Sequence, residues 1–77
     1  MIKVLFFAEL QEKVGNGKVP MDAAGKSVKE LKQMLVAEYQ LKTLDNVMVA
    51  VNEEYTTEST ILADDDVVAF IPPVSGG

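Results

Sequence analysis

Seventy-seven residues with twelve acidic and seven basic side chains, a net charge of −5, make one small acidic domain with a thin core. The chain has no cysteine and no histidine. That excludes disulfides, thiolate zinc sites, a cysteine nucleophile and the commonest general base and metal ligand, so a self-contained hydrolase or metalloenzyme is not expected. All seven cations are lysines. With no arginine and an acidic balance, nucleic acid is not an expected partner, whereas a basic protein surface is.

The longest apolar runs, Val4 to Ala8 among them, are far too short to span a membrane, and no signal peptide precedes Val4. A cytoplasmic protein with no membrane partner is expected.

Ile2 to Phe7 reads as a strand. Ile2, Val4 and Phe6 form its apolar face, and Lys3, Leu5 and Phe7 lie on the other. That second face is expected to meet a partner through Leu5 and Phe7, because side-by-side exposed Leu and Phe are worth burying. Ala8 to Val14 favours a short helix, which Gly15 is placed to end. Asn16-Gly17 marks a turn. Lys18 to Met21 suits an edge strand, where Pro20 is tolerated.

The clearest helix opens at Ser27, where Ser27-Val28-Lys29-Glu30 has the spacing of a capping box. Val28, Leu31, Leu35 and Tyr39 then recur at helical spacing, with Met34 beside them, so this helix is expected to be structural. Val47 to Val51 is a second apolar strand. Asn52-Glu53 should turn it, with Glu53-Glu54 also read as turn, and Tyr55 to Leu62 holds short extended pieces. Asp64-Asp65-Asp66 reads as a solvated turn, lacking the spaced ligands and glycine of a calcium loop, so no metal site is expected. Val67 to Ile71 is the last strand, and Pro72 stops sheet pairing.

This order predicts an α+β domain of the β-grasp, ubiquitin-like kind: a mixed sheet around one main helix, residues 1–71, followed by an extended tail, residues 72–77. The apolar first and last strands should be central neighbours. No phosphate loop accompanies Gly15-Asn16-Gly17, and no histidine is present to activate a serine.

The tail carries the chemistry. Pro72-Pro73 favours an extended backbone, and the six residues from Pro72 to Gly77 can reach roughly 20 Å at ~3.1–3.6 Å per residue. Gly76 and Gly77 pass where any Cβ would clash. Taken as a chain end, Gly77 offers an α-carboxyl, which a partner enzyme could activate as an acyl-adenylate. Sulfur displacing AMP would then leave a thiocarboxylate on an arm that delivers it, though nothing in the residues themselves specifies sulfur.

Over essentially its whole length the chain resembles the small, sulfur-carrying subunit of molybdopterin synthase. The likeness is carried by Ile2-Lys3-Val4-Leu5-Phe6-Phe7-Ala8, by Val49-Ala50-Val51-Asn52-Glu53-Glu54-Tyr55, and above all by Ala69-Phe70-Ile71-Pro72-Pro73-Val74-Ser75-Gly76-Gly77. The resemblance implies a β-grasp domain that is no enzyme on its own. An E1-like adenylating enzyme spends ATP on Gly77, and a sulfur donor converts the adenylate to a thiocarboxylate. The tail, Pro72, Pro73, Val74, Ser75 and Gly76, is then held by a large catalytic subunit, where the sulfur passes to cyclic pyranopterin monophosphate to build the dithiolene of molybdopterin. No cofactor is expected to bind this chain. Two positions depart from the family's habit: Gln11 stands where Arg is frequent, and Asp65 where Gly is frequent before the last strand. A ubiquitin-like protein modifier, or a sulfur carrier for thiazole or tRNA thiolation, is the alternative. A plain interaction domain with an inert tail is a third reading.

Overall fold

Alternation of apolar residues along short β-prone runs, broken by turns and one amphipathic helix, produces a single five-stranded sheet. The computed structural model describes residues 1–41 and 47–72. The elements are β1 (Ile2–Phe6), α1 (Glu9–Val14), β2 (Lys18–Met21), α2 (Val28–Tyr39), β3 (Met48–Val51), β4 (Glu54–Tyr55) and β5 (Val67–Ile71). The sheet order is β2-β1-β5-β3-β4. β1 and β5 run parallel as central neighbours, with Lys3 beside Val67 and Phe6 beside Phe70, and the other pairings are antiparallel. This is the β-grasp architecture.

One face of the sheet makes the core. Ile2, Val4 and Phe6 of β1, Val49 of β3, and Val68 and Phe70 of β5 are buried with Val28, Leu31 and Leu35 of α2. Phe6 stacks on Phe70 with centroids 6.2 Å apart and meets Tyr39 edge-on at the same distance. Such aromatic contacts add to the burial of apolar area.

α2 begins as its sequence dictates. The Ser27 hydroxyl accepts from the Glu30 N–H at 3.1 Å, and the Glu30 carboxylate accepts from the Ser27 N–H at 3.0 Å. The next free donors are also satisfied: the Val28 and Lys29 N–H groups donate to the Thr60 and Glu58 carbonyls at 2.9 and 3.0 Å. Residues 58–62 are thus strapped across the start of the helix, with Ser27 bridged to Ile61. Lys32, buried on α2, strengthens the strap by pairing with Glu58 at 3.0 Å. At the other end, Gln40 takes a left-handed conformation (φ 55°), and the Leu41 N–H donates to the Val36 carbonyl at 3.1 Å.

Several boundaries differ from the sequence reading. Phe7 falls outside β1, and Ala8 caps α1 without joining it. The Leu10 N–H reaches back to the Phe7 carbonyl at 3.2 Å, and this turn forces Ala8 to φ 52°. Glu54 belongs to β4, not to the preceding turn, because it pairs with Val51. Asp65 adopts φ 70°, so the position where glycine is frequent does demand a left-handed backbone, and Asp meets the demand.

Candidate functional site

Among the described residues no helix lies across the sheet's second face. Rows of residues on this face follow from the strand register. Leu5 lies beside Ala69, Ala69 beside Ala50, and Ala50 beside Tyr55. The two middle positions hold methyl groups and the flanking ones hold larger side chains, so the row is low in the centre and raised at its ends. The result is a shallow, mostly apolar groove of about 350 Å³. Val67 and Ile71 extend its floor along β5, Phe7 borders it past the end of β1, and Glu53 stands at its rim from the β3–β4 turn.

Phe7 is 44% exposed and Tyr55 67% exposed, while Leu5 is half-buried and Lys3 exposed. Leu5 and Phe7, singled out from the sequence, therefore lie on one groove. Ala50, Glu53, Tyr55, Val67, Ala69 and Ile71 were not anticipated there. The β5 alternation held a clue, since Val67, Ala69 and Ile71 must share a face once Val68 and Phe70 are core. Which strand supplies their neighbours depends on long-range register.

β5 connects this groove to the tail. Ile71 lines the groove, and the next residue, Pro72, is buried. Pro73, Val74, Ser75, Gly76 and Gly77, the remaining sequence-predicted site residues, lie outside the described residues.

The turn at the rim is tightly specified. Asn52 and Glu53 form the two-residue loop between β3 and β4, and both have positive φ, 51° and 72°. The Asn52 backbone N–H donates to the Val67 carbonyl at 2.8 Å, and its side-chain oxygen accepts from the Val67 N–H at 3.0 Å. The Asn52 amide also donates to Asp66 at 2.9 Å. Asp66 in turn accepts from the Ala63 N–H at 2.8 Å. The turn is thereby anchored to the start of β5.

Among the described residues no group of three or more acidic side chains is placed to hold a metal ion, and no helix is long and apolar enough to cross a membrane. Another groove among the described residues, beside Lys32, Thr57 and Glu58, has its cation already paired. The apolar groove is continuous along β5 with Pro72, where the described residues end.

The model of the ThiS family matches residues 4–77. The chain is 38% identical to the molybdopterin synthase sulfur carrier subunit of Escherichia coli, over the full length of both. Among solved structures it is similar to SAMP1 from Haloferax volcanii, a small archaeal modifier protein, with a TM-score of 0.75, 26% identity and coverage of 99% of this chain and 98% of that one. It is also similar to a chain in the complex of subunits 1 and 2 of molybdopterin-converting factor from Helicobacter pylori, with a TM-score of 0.70, 28% identity and coverage of 99% and 97%.

Proposed function

We propose that this chain, which belongs to the ThiS family, is the sulfur carrier subunit of a molybdopterin synthase. The observation that carries this reading is the full-length 38% identity to a molybdopterin synthase sulfur carrier subunit, coupled with a match that includes Gly76-Gly77. The likeness to a chain from the two-subunit complex supports a partner of the large-subunit kind.

The chemistry runs through Gly77. An E1-like enzyme joins the α-carboxylate to AMP from ATP, releasing pyrophosphate. Sulfide released by a sulfur donor then attacks the acyl carbon, displaces AMP and loses its proton, leaving a thiocarboxylate. On the large subunit this sulfur attacks the pterin precursor, and hydrolysis returns the carboxylate. A dithiolene holds two sulfurs, so each product needs two deliveries. The chain supplies no acid, base or cofactor for these steps, and ATP is used by the activating enzyme. Its own contributions are docking through the groove and delivery through the tail, with Pro72 and Pro73 limiting the entropy lost on insertion and Gly76 passing a narrow entrance. We place the protein in the cytoplasm with its two enzyme partners.

The likeness to a modifier protein supports a second reading, attachment of Gly77 to lysines of other proteins. One experiment separates the two. The carrier is incubated with activating enzyme, ATP, sulfur source and large subunit, and conversion of the pterin precursor is measured. Conversion is expected with the native chain and lost when one alanine is appended after Gly77 or when Gly76 is replaced by Val, with melting curves unchanged. Normal conversion by an untrimmed alanine-extended chain would overturn the carrier reading. Lysine adducts without conversion would favour the modifier.

A further inference from the structure

Glu53 occupies a position that a two-residue turn ordinarily reserves for glycine. The second residue of a type I′ hairpin needs positive φ, hence the preference for Asn-Gly. Here Asn fills the first place as expected, but the second holds Glu at φ 72°. A glutamate side chain gains nothing from that backbone region, which disfavours residues with a Cβ. Strain of this kind persists where surrounding contacts over-determine the conformation. The bonds of Asn52 to Val67 and Asp66 provide that determination. The turn therefore fixes the backbone from which the Glu53 carboxylate projects, at a site where glycine would be more comfortable.

The place where it is held matters. Glu53 is exposed and lines the rim of the apolar groove. Among the described residues the ion pairs are Met1 with Asp64 and Lys32 with Glu58, and none of them involves Glu53. Its neighbour Glu54 differs. Strand alternation turns Glu54 to the face opposite Tyr55, away from the groove. Two adjacent carboxylates thus share one charge but not one direction.

We propose that Glu53 is a specificity-determining residue of the docking face: its carboxylate pairs with a Lys or Arg side chain of the large catalytic subunit when the groove is covered. This rests on the carrier reading above. The chain's excess of acidic over basic residues suits a cationic partner surface. A charge at the edge of an apolar contact acts chiefly on encounter rate, register and salt dependence, which defines the test.

Association of the full chain with purified large subunit is followed by stopped flow at several salt concentrations, for the native protein and for Glu53→Gln, Glu53→Gly and Glu54→Gln, each with a melting curve. Glu53→Gln is expected to slow association about five-fold at low salt and to flatten the salt dependence. Glu53→Gly should melt higher, by relief of the left-handed strain, and yet associate as slowly as Glu53→Gln. Glu54→Gln, with the same loss of charge, should change the rate much less. Equal effects at the two positions would reduce Glu53 to general steering and overturn the proposal, as would an unchanged rate for Glu53→Gln. Faster association by Glu53→Gly than by the native chain would overturn it too. Failure of the native chain to bind the large subunit at all would instead overturn the carrier reading, and this pairing with it.

Discussion

Asn52 and Asp66 lie fourteen residues apart and are joined by a 2.9 Å hydrogen bond between the Asn52 amide and the Asp66 carboxylate. Asp66 also receives the Ala63 N–H, and Asn52 exchanges bonds with Val67. The β3–β4 turn and the loop before β5 are therefore one unit.

Asn52→Ala removes both side-chain bonds and puts a less tolerant residue at positive φ. A stability loss of about 1–3 kcal/mol is expected in urea unfolding, with faster amide exchange at Val67. Native stability and exchange in the variant would mean that the turn holds without its clamp.

Phe7→Ala should weaken the complex with the large subunit by ~1–3 kcal/mol, as for an aromatic anchor at an interface. Phe7 lies beyond β1 and is 44% exposed, so folding stability should change by less than about 1 kcal/mol. Calorimetric titration and a melting curve on the same sample decide the matter. A large loss of stability with undiminished binding would place Phe7 in the fold and not in the interface.

Ser27→Ala should cost roughly 0.5–2 kcal/mol of stability while the folded fraction still transfers sulfur. The capping box also has a signature in pH. The backbone bond from Ser27, followed by the one involving its hydroxyl, holds the Glu30 carboxyl below its ordinary value. A lowered folded-state value means that the folded protein binds fewer protons in that range. The contribution is complete above the ordinary Glu value of about 4.3 and disappears as pH falls through the lower one. Glu30→Gln should therefore flatten the acid limb of stability against pH. An unaltered acid limb would exclude Glu30 as its source.

Much of this architecture is legible because local and global preferences agree. Ser27 and Glu30 announce a helix start by residue type and spacing alone. The alternation in β1 and β5 identifies the buried face before the fold is known. Other features have no local signature. Lys32 sits at the edge of the apolar stripe, and its burial depends on Glu58, which is far away in sequence. Ala50 and Ala69 matter as the low point of a groove only because antiparallel register sets them side by side. The left-handed backbones of Ala8 and Glu53 belong to residue types that give no hint of them, since each is imposed by the turn around it. The groove therefore had to be found in three dimensions, whereas its two anchor candidates, Leu5 and Phe7, could be read from one strand.

The parallel pairing of β1 with β5 has a consequence for how the molecule comes to exist. It joins residues from nearly opposite ends of the described chain, and contacts of such long range are slow to form because loop closure precedes any reward. Until β5 is in place, β1 and β3 present bare edges to any passing strand. Val67, Ala69 and Ile71 enter the groove with that same strand. An incompletely folded chain therefore lacks the groove, and a partner that docks there as proposed would select finished molecules.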